Sequence, residues 1–225
     1  MLNDICEKVF VITTIDSNRV DYIRNHLDSR GVKFEFHIAP FFEIIDPNRI
    51  LHSPPQRESR PSISLISAYL SITESCRISG IKRVGIIEDD CFLLRDWQEK
   101  FKRFYNKVPS DWDILNLGYH PIHDTNTIKE KISDLVSKPL NWHHTTHFMM
   151  IRNTAYVPFK HMLNHWNWHL SIDYTFNELY KRTEMKSYIP EEHIAYQLSY
   201  RKCSDELSYV KDTYVNFKSN LYNEI

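Results

Sequence analysis

Hydrophobic positions in the first third of the chain come in short blocks whose period changes from one block to the next. Val9-Phe10-Val11-Ile12-Thr13 is an unbroken, β-branched run of the kind a strand buried on both faces requires. Beyond it, Val20, Ile23 and Leu27 recur at spacings of three and four. That spacing predicts an amphipathic helix, with Ser17 as its cap and Gly31 as its stop. Val32, Phe34, Phe36 and Ile38 then alternate, which predicts a second strand. Strand, helix and strand within about 30 residues form a βαβ unit with parallel strands and a right-handed crossover.

Residues 46–61 hold four prolines and five charges and predict an exposed loop. A helix from Ser62 follows, with Ile66, Tyr69, Leu70, Thr73 and Cys76 along one side and an end near Gly80. The apolar strand Val84-Gly85-Ile86-Ile87 runs straight into Glu88-Asp89-Asp90. Asp96 can cap a further helix, whose Trp97, Phe101, Phe104 and Val108 share a face. Residues 113–117 and 147–151 are strand candidates, 153–164 and 172–183 helix candidates, and a polar, Tyr-rich tail begins near 204. The pattern is α/β over the first half and more mixed over the second. A length of 225 residues fits one domain.

Composition removes several classes of function. With 28 bases against 29 acids the net charge is −1, so the electrostatic footprint of a nucleic-acid binder is missing. No apolar run nears the roughly 20 residues that cross a bilayer. The acid-bearing start, without a small-residue cleavage site, does not resemble a signal peptide. Cys6, Cys76, Cys91 and Cys203 lie far apart, which argues against a disulfide framework and fits a reducing, cytoplasmic setting. Glycine is the sharpest exclusion. Gly31, Gly80, Gly85 and Gly118 are the only four, and no arrangement of them makes GxGxxG or a P-loop. A nucleotide diphosphate would need its phosphates neutralised by other means, and a divalent cation on carboxylates is the obvious one.

Glu88-Asp89-Asp90 supplies such carboxylates. Three adjacent acids at the exit of an apolar strand repel one another, and the carboxyl ends of strands in an open α/β sheet form the ligand crevice. Strand alternation would put Glu88 and Asp90 on one side, about 6.5–7 Å apart, and Asp89 on the other. Two carboxylates on one side can grip a hard cation and leave positions for phosphate oxygens. Such an ion stabilises the charge that develops on a leaving diphosphate. An acidic turn leading into the next helix is the plainer alternative.

The order VFVIT, an Arg-containing helix, SISLISAYLSI, GIIEDD and WDILNLG resembles the lipopolysaccharide-type glycosyltransferases of family 25, over roughly residues 8 to 200. A small bacterial or viral relative is what the resemblance implies. It implies the α/β GT-A fold, a nucleotide-binding, mixed and mostly parallel sheet flanked by helices, in a single domain over 1–225. Residues 1–118 would then be the nucleotide-sugar half, 119–203 the acceptor side and 204–225 a tail. Two departures stand out. Ser67-Ala68-Tyr69 replaces the family's usual Ser-His pair, and the first acid of the triplet is Glu.

Carried over position by position, the resemblance makes Asp90 the principal metal ligand, for Mn²⁺ or Mg²⁺. Glu88 would lie near the ribose or behind the metal's direct ligands, and Asp89 would orient the turn or contact the sugar. Thr13 and Thr14 would line the base pocket, and Arg19 would reach the nucleotide or its phosphates. A solvated helix Arg and two ordinary β-formers are the plain alternatives. His193, in Pro190-Glu191-Glu192-His193, matches a late His that GT-A enzymes bring to the metal or diphosphate; a surface or capping His is its alternative.

An inverting transfer also needs a base for the acceptor hydroxyl. Asp173, at the start of the 172–183 helix, is the candidate, against a first-turn acid that favours the helix dipole. Asp113 could equally be structural. His143, His144 and His147 cluster without helical metal spacing, so a polar loop near sugar or acceptor fits better than zinc. Trp142, Trp166 and Trp168 could stack on a sugar, though core packing is the ordinary role of Trp.

These readings converge on a metal-dependent hexosyltransferase. It would move a sugar from a nucleotide diphosphate donor, a UDP-sugar foremost, to a glycan or lipid-linked saccharide acceptor, with inversion. Lipopolysaccharide or other glycan biosynthesis is the setting implied, in a bacterial or host cytoplasm or peripheral to a membrane, without nucleic acid. The alternatives are a nucleotidyltransferase or phosphoesterase using the same carboxylates, and a non-catalytic carbohydrate-binding relative.

Overall fold

The structure is a computed structural model, and it describes residues 1–40, 60–118, 129–140, 146–165, 172 and 184–198. Among these the chain forms α1 (Leu2–Ile5), β1 (Lys8–Thr13), α2 (Val20–Ser29), β2 (Glu35–Ile38), α3 (Arg60–Ile78), β3 (Arg83–Glu88) and β4 (Cys91–Leu93). There follow α4 (Trp97–Tyr105), β5 (Ile114–Asn116), β6 (Lys129–Lys131), β7 (Val136–Pro139), β8 (Phe148–Arg152), α5 (Asn153–His165), β9 (Ser187–Pro190) and β10 (Ala195–Gln197). Eight described strands make one sheet in the order β2-β1-β3-β8-β5-β9-β7-β6, and β4 pairs with β10 in a separate ribbon. The pairings point β2, β1, β3, β5, β9 and β6 one way, with β8 and β7 reversed. The sheet is therefore mixed and mostly parallel, as the resemblance implied.

Two cores flank it, and the strand period of two explains why. Val84, Ile86, Ile114, Met149 and Ile151 pack on one face with Ile63, Ile66, Tyr69 and Ile72 of α3 and Tyr156 and Phe159 of α5. Their chain neighbours Ile87, Leu115, Phe148 and Met150 pack on the other, with Ile23 and Leu27 of α2 and Trp97, Phe101 and Phe104 of α4. The α2 crossover from β1 to β2 thus lies on one face and the α3 crossover from β2 to β3 on the other. Going from β1 to β2 the chain moves one way across the sheet, and from β2 to β3 it returns past β1. The crevice of a doubly wound sheet opens where that reversal occurs, here beyond the carboxyl ends of β1 and β3.

Several local expectations change. Helix α2 starts at Val20, and its N-cap position is Arg19, which makes no side-chain cap bond. Ser17 sits a step earlier, where its Oγ accepts the Arg19 N–H at 3.2 Å. Gly31 does end this helix, with φ of +70°. Asp96 occupies the N-cap of α4 but makes no cap bond; its carboxylate pairs with Lys100 at 3.0 Å instead. Asp113 is structural, at the amino end of β5 and remote from the crevice. It accepts the Lys186 N–H at 2.8 Å and the Thr154 hydroxyl. Strand alternation stops at Glu88, because Asp89 and Asp90 form the turn between β3 and β4. The loop expected over 46–61 gives way to helix at its end, since α3 already starts at Arg60 rather than Ser62. Its residues 46–59, Trp142, His143, His144, Trp166, Trp168, Asp173 with the rest of its helix, and the tail from 204 lie outside the described residues.

One buried histidine makes this packing sensitive to acid. His26 of α2 is stacked between Tyr22 and Phe92, at centroid distances of 5.6 and 4.7 Å. Its Nε2 accepts the Leu93 N–H at 2.8 Å, which ties α2 to β4 and requires a neutral ring. Burial, with the Arg30 charge adding to it, pulls the His26 pKa down to about 4 from the usual 6.5. The unfolded chain binds this proton near pH 6.5 and the folded one resists it until about 4. The contribution is therefore complete above pH 6.5 and is lost as the pH falls toward 4. It amounts to at most about 3 kcal/mol. Urea unfolding between pH 7 and 4 should show that decline, and His26→Gln should flatten it.

Candidate functional site

The reversal point between β1 and β3 gathers the acidic turn. Strand β1 pairs in parallel with β3, with Ile12 beside Glu88, so both strands deliver their last residues to the same rim. The Asp89 N–H donates to the Ile12 carbonyl at 3.1 Å and fixes the turn against β1. Each acid then takes partners from a different part of the chain.

Glu88 faces β8. Its N–H donates to the His147 carbonyl at 2.9 Å, and its Oε1 accepts the Thr146 hydroxyl at 2.6 Å. Tyr69 of α3 donates its hydroxyl to the Thr146 carbonyl at 2.8 Å and so braces this contact. Asp89 is buried and heavily bonded. Its Oδ2 accepts the hydroxyls of Thr13 at 2.7 Å and Ser17 at 2.6 Å, and its Oδ1 lies 2.7 Å from Nη2 of Arg19. Thr14 begins the turn leaving β1, and its carbonyl accepts the Ser17 N–H at 3.1 Å.

Asp90 is different. Its Oδ2 accepts the Gln197 amide at 3.0 Å and stands 3.8 Å from Nη1 of Arg19. Its Oδ1 is buried and accepts no hydrogen bond from any described residue. Burial pushes the Asp90 carboxyl above the ordinary aspartate value; Arg19 and the Gln197 amide pull against this, and the Asp89 charge adds to it. Cys91, next in line, is fully buried, and its thiol is pushed well up by burial and by the charges of Asp90 and Glu88. It stays a neutral thiol, and no thiolate chemistry follows.

The structure thus brings Thr13, Arg19, Asp89 and Asp90 into one bonded group, with Glu88 beside it and Thr14 at its edge. In the β4–β10 ribbon Gln197 pairs with Cys91 and Ala195 with Leu93, so Gln197 reaches Asp90. His193 is four residues upstream, with its ring 4.8 Å from that of Tyr196. Ser17, Thr146 and Gln197 are the residues that sequence reasoning passed over in this role. Ser17 carries an ambiguous signal, because a hydroxyl before a helix reads as a cap. Gln197 carries none.

The donor set at this turn suits a divalent ion. Asp90 Oδ1 is a hard oxygen, withdrawn from water and without a hydrogen bond among the described residues. It fits a cation that takes one carboxylate oxygen from protein and its other ligands from phosphate oxygens and water, the usual habit of Mg²⁺. Among the described residues no group of three or more His, Cys, Asp or Glu side chains could hold a metal by itself.

No protein-family model and no curated protein matches this sequence. Solved structures do resemble the fold. A glycosyltransferase involved in the glycosylation of the major capsid of PBCV-1 superposes with a TM-score of 0.50 at 7% identity, covering 87% of this chain and 94% of that one. Mouse xyloside xylosyltransferase 1 gives 0.48 at 12% identity, covering 84% and 96%. The inositol-1-phosphate CTP transferase from T. maritima gives 0.47 at 9%, covering 85% and 89%. At these identities the likeness to the first establishes the fold alone, which is the GT-A type. Among the described residues no helix is long and apolar enough to cross a membrane.

The crevice floor also depends on one glycine. A Cβ built on Gly118, just after β5, would lie 2.1 Å from Nε2 of the buried His147, whose carbonyl holds Glu88. The requirement is for space rather than for an unusual backbone angle. Gly118→Ala should cost about 1–3 kcal/mol as ring and backbone move apart, a loss readable as a lower Tm.

Proposed function

We propose that this chain is a metal-dependent glycosyltransferase akin to the lipopolysaccharide-type enzymes of family 25, moving a hexose from a nucleotide diphosphate donor to a glycan or lipid-linked saccharide with inversion. The observation that carries the reading is the grouping of Asp89, Asp90 and Arg19 at the reversal point between β1 and β3. A doubly wound sheet places its ligand there, and the group offers a diphosphate both a guanidinium and a carboxylate oxygen suited to a cation. In this assignment residues 1–118 carry the donor, 119–203 the acceptor side and 204–225 a tail.

Asp90 would hold Mn²⁺ or Mg²⁺ through Oδ1, and the ion, when bound, neutralises charge on the diphosphate. Arg19, whose side chain is 38% exposed, donates to phosphate oxygens from its solvent side, while Asp89 fixes its direction. Thr13 and Thr14 border the base, although the Thr13 hydroxyl already serves Asp89. Glu88 stands behind the site, held by Thr146, on the side where a ribose would lie. His193 remains a candidate for the diphosphate end.

In the transfer, the acceptor oxygen bonds to the anomeric carbon as the bond from that carbon to the diphosphate oxygen breaks. The acceptor's proton passes to a carboxylate, assigned to Asp173, and the nucleoside diphosphate leaves with its electron pair.

Asp90→Ala should remove metal-stimulated transfer or donor hydrolysis by a factor of about 100 or more while leaving a folded protein. The assay is sugar-nucleotide turnover with and without Mn²⁺, beside circular dichroism of the variant. Full activity in Asp90→Ala would rule out the ion's place. Product analysis separates the chemistries: an intact nucleoside diphosphate marks glycosyl transfer, and a monophosphate marks attack at phosphorus. Mn²⁺-enhanced nucleotide binding with no turnover would mark a binding module.

A further inference from the structure

We propose that Arg19 is a tethered counter-ion that keeps Asp90 from taking a divalent cation until a nucleoside diphosphate arrives, an inference that rests on the transferase reading above. Asp89 is engaged through both oxygens: two hydroxyls hold Oδ2 and Nη2 of Arg19 holds Oδ1. The guanidinium is therefore anchored by one arm. The other arm, Nη1, stands 3.8 Å from Asp90, too far for a hydrogen bond but close enough for strong Coulombic contact beside a buried group.

That arrangement sets two cations in competition. An ion on Asp90 Oδ1 would lie within a few ångströms of Nη1, and like charges at such separations repel strongly where water is partly excluded. Without a nucleotide, Arg19 already supplies Asp90 with positive charge, and Mn²⁺ must enter against it. A diphosphate changes the balance, because its oxygens give Nη1 direct, charge-assisted acceptors and offer the ion its remaining ligands. Ion and nucleotide then favour one another through a side chain as well as through their direct contact, and the coupling is reciprocal. Gln197 contributes by occupying Oδ2, so Oδ1 is the oxygen left for the ion.

The test uses the full chain, with Mn²⁺ binding followed by the free-ion EPR signal and UDP or GDP binding by calorimetry. Arg19→Gln should bind Mn²⁺ alone about tenfold more tightly than the wild type and bind the diphosphate without metal about tenfold more weakly. A side chain with a purely structural role would move both affinities down together. Arg19→Lys keeps the charge and should keep Mn²⁺ binding as weak as in the wild type. Unchanged or weaker Mn²⁺ binding by a folded Arg19→Gln protein would overturn the proposal. If Arg19→Gln does not fold, the wild type decides: saturating UDP must raise its Mn²⁺ affinity about tenfold or more, and equal affinities overturn the idea. Should the wild type bind no nucleoside diphosphate under any condition, the transferase reading itself fails. Binding that occurs but ignores Arg19 defeats only this inference.

Discussion

A carboxylate withdrawn from water at the rim of a sheet needs donors, and those that Asp89 takes determine where the surrounding chain stands. Thr13 is the last residue of β1, Ser17 lies in the loop beyond it, and Arg19 immediately precedes α2. One side chain thus joins the exit of β1, the approach to α2 and the turn after β3. Removing any donor would leave a buried charge undercompensated, which costs more than the lost bond itself. The same bonds end the period-two pattern of β3. Asp89 turns toward β1 to meet its donors, and Asp90 follows it to the side where Arg19 and Gln197 stand.

The three acids are consequently not equivalent, although they are consecutive. Glu88 is tied to β8 through Thr146, Asp89 to β1 and α2, and Asp90 to β10 through Gln197. Partners separated from the triplet by 58 to 107 positions converge on one turn. Arg19 is the one basic side chain that the described residues set on Asp89 or Asp90. Of the two acids, Asp90 is the one whose carboxyl burial pushes upward.

How much of this was legible in the sequence follows from length and distance. Strands β1 and β3 announce themselves as apolar runs, and α2, α3 and α4 by their spacing, because each buries a full face. The acid triplet was legible because an apolar strand led into it. Strands β4, β6, β9 and β10, of three or four residues each, are too short for a period to register, so the ribbon that carries Gln197 left no trace. Ser17 was visible only as a cap, since local sequence cannot show a carboxylate 72 positions away competing for its hydroxyl. The same blindness applies to Asp96, whose cap position is real but whose carboxylate prefers Lys100. The alternation expected of Glu88 and Asp90 failed for a related reason: pleating governs side-chain direction only while the strand continues.

The glycines explain why the site is built from side chains at all. Gly31 and Gly80 take positive φ where α2 and α3 end, Gly85 packs inside β3 with Val9 Cγ2 3.3 Å from where a Cβ would stand, and Gly118 makes room for His147. All four are committed to turns or packing, so none is left to bare backbone N–H groups toward an anion. Among the described residues, Arg19 and an ion on Asp90 are the positive charges the β1–β3 rim can offer an anion. Under the proposed reading this scarcity is what makes guanidinium and carboxylate neighbours, each covering part of what a glycine loop would do alone. A loop of backbone amides has a fixed charge and cannot be vacated, whereas a guanidinium anchored by one arm can release the other. A site assembled in this way can make occupation by the cation depend on the arrival of the anion.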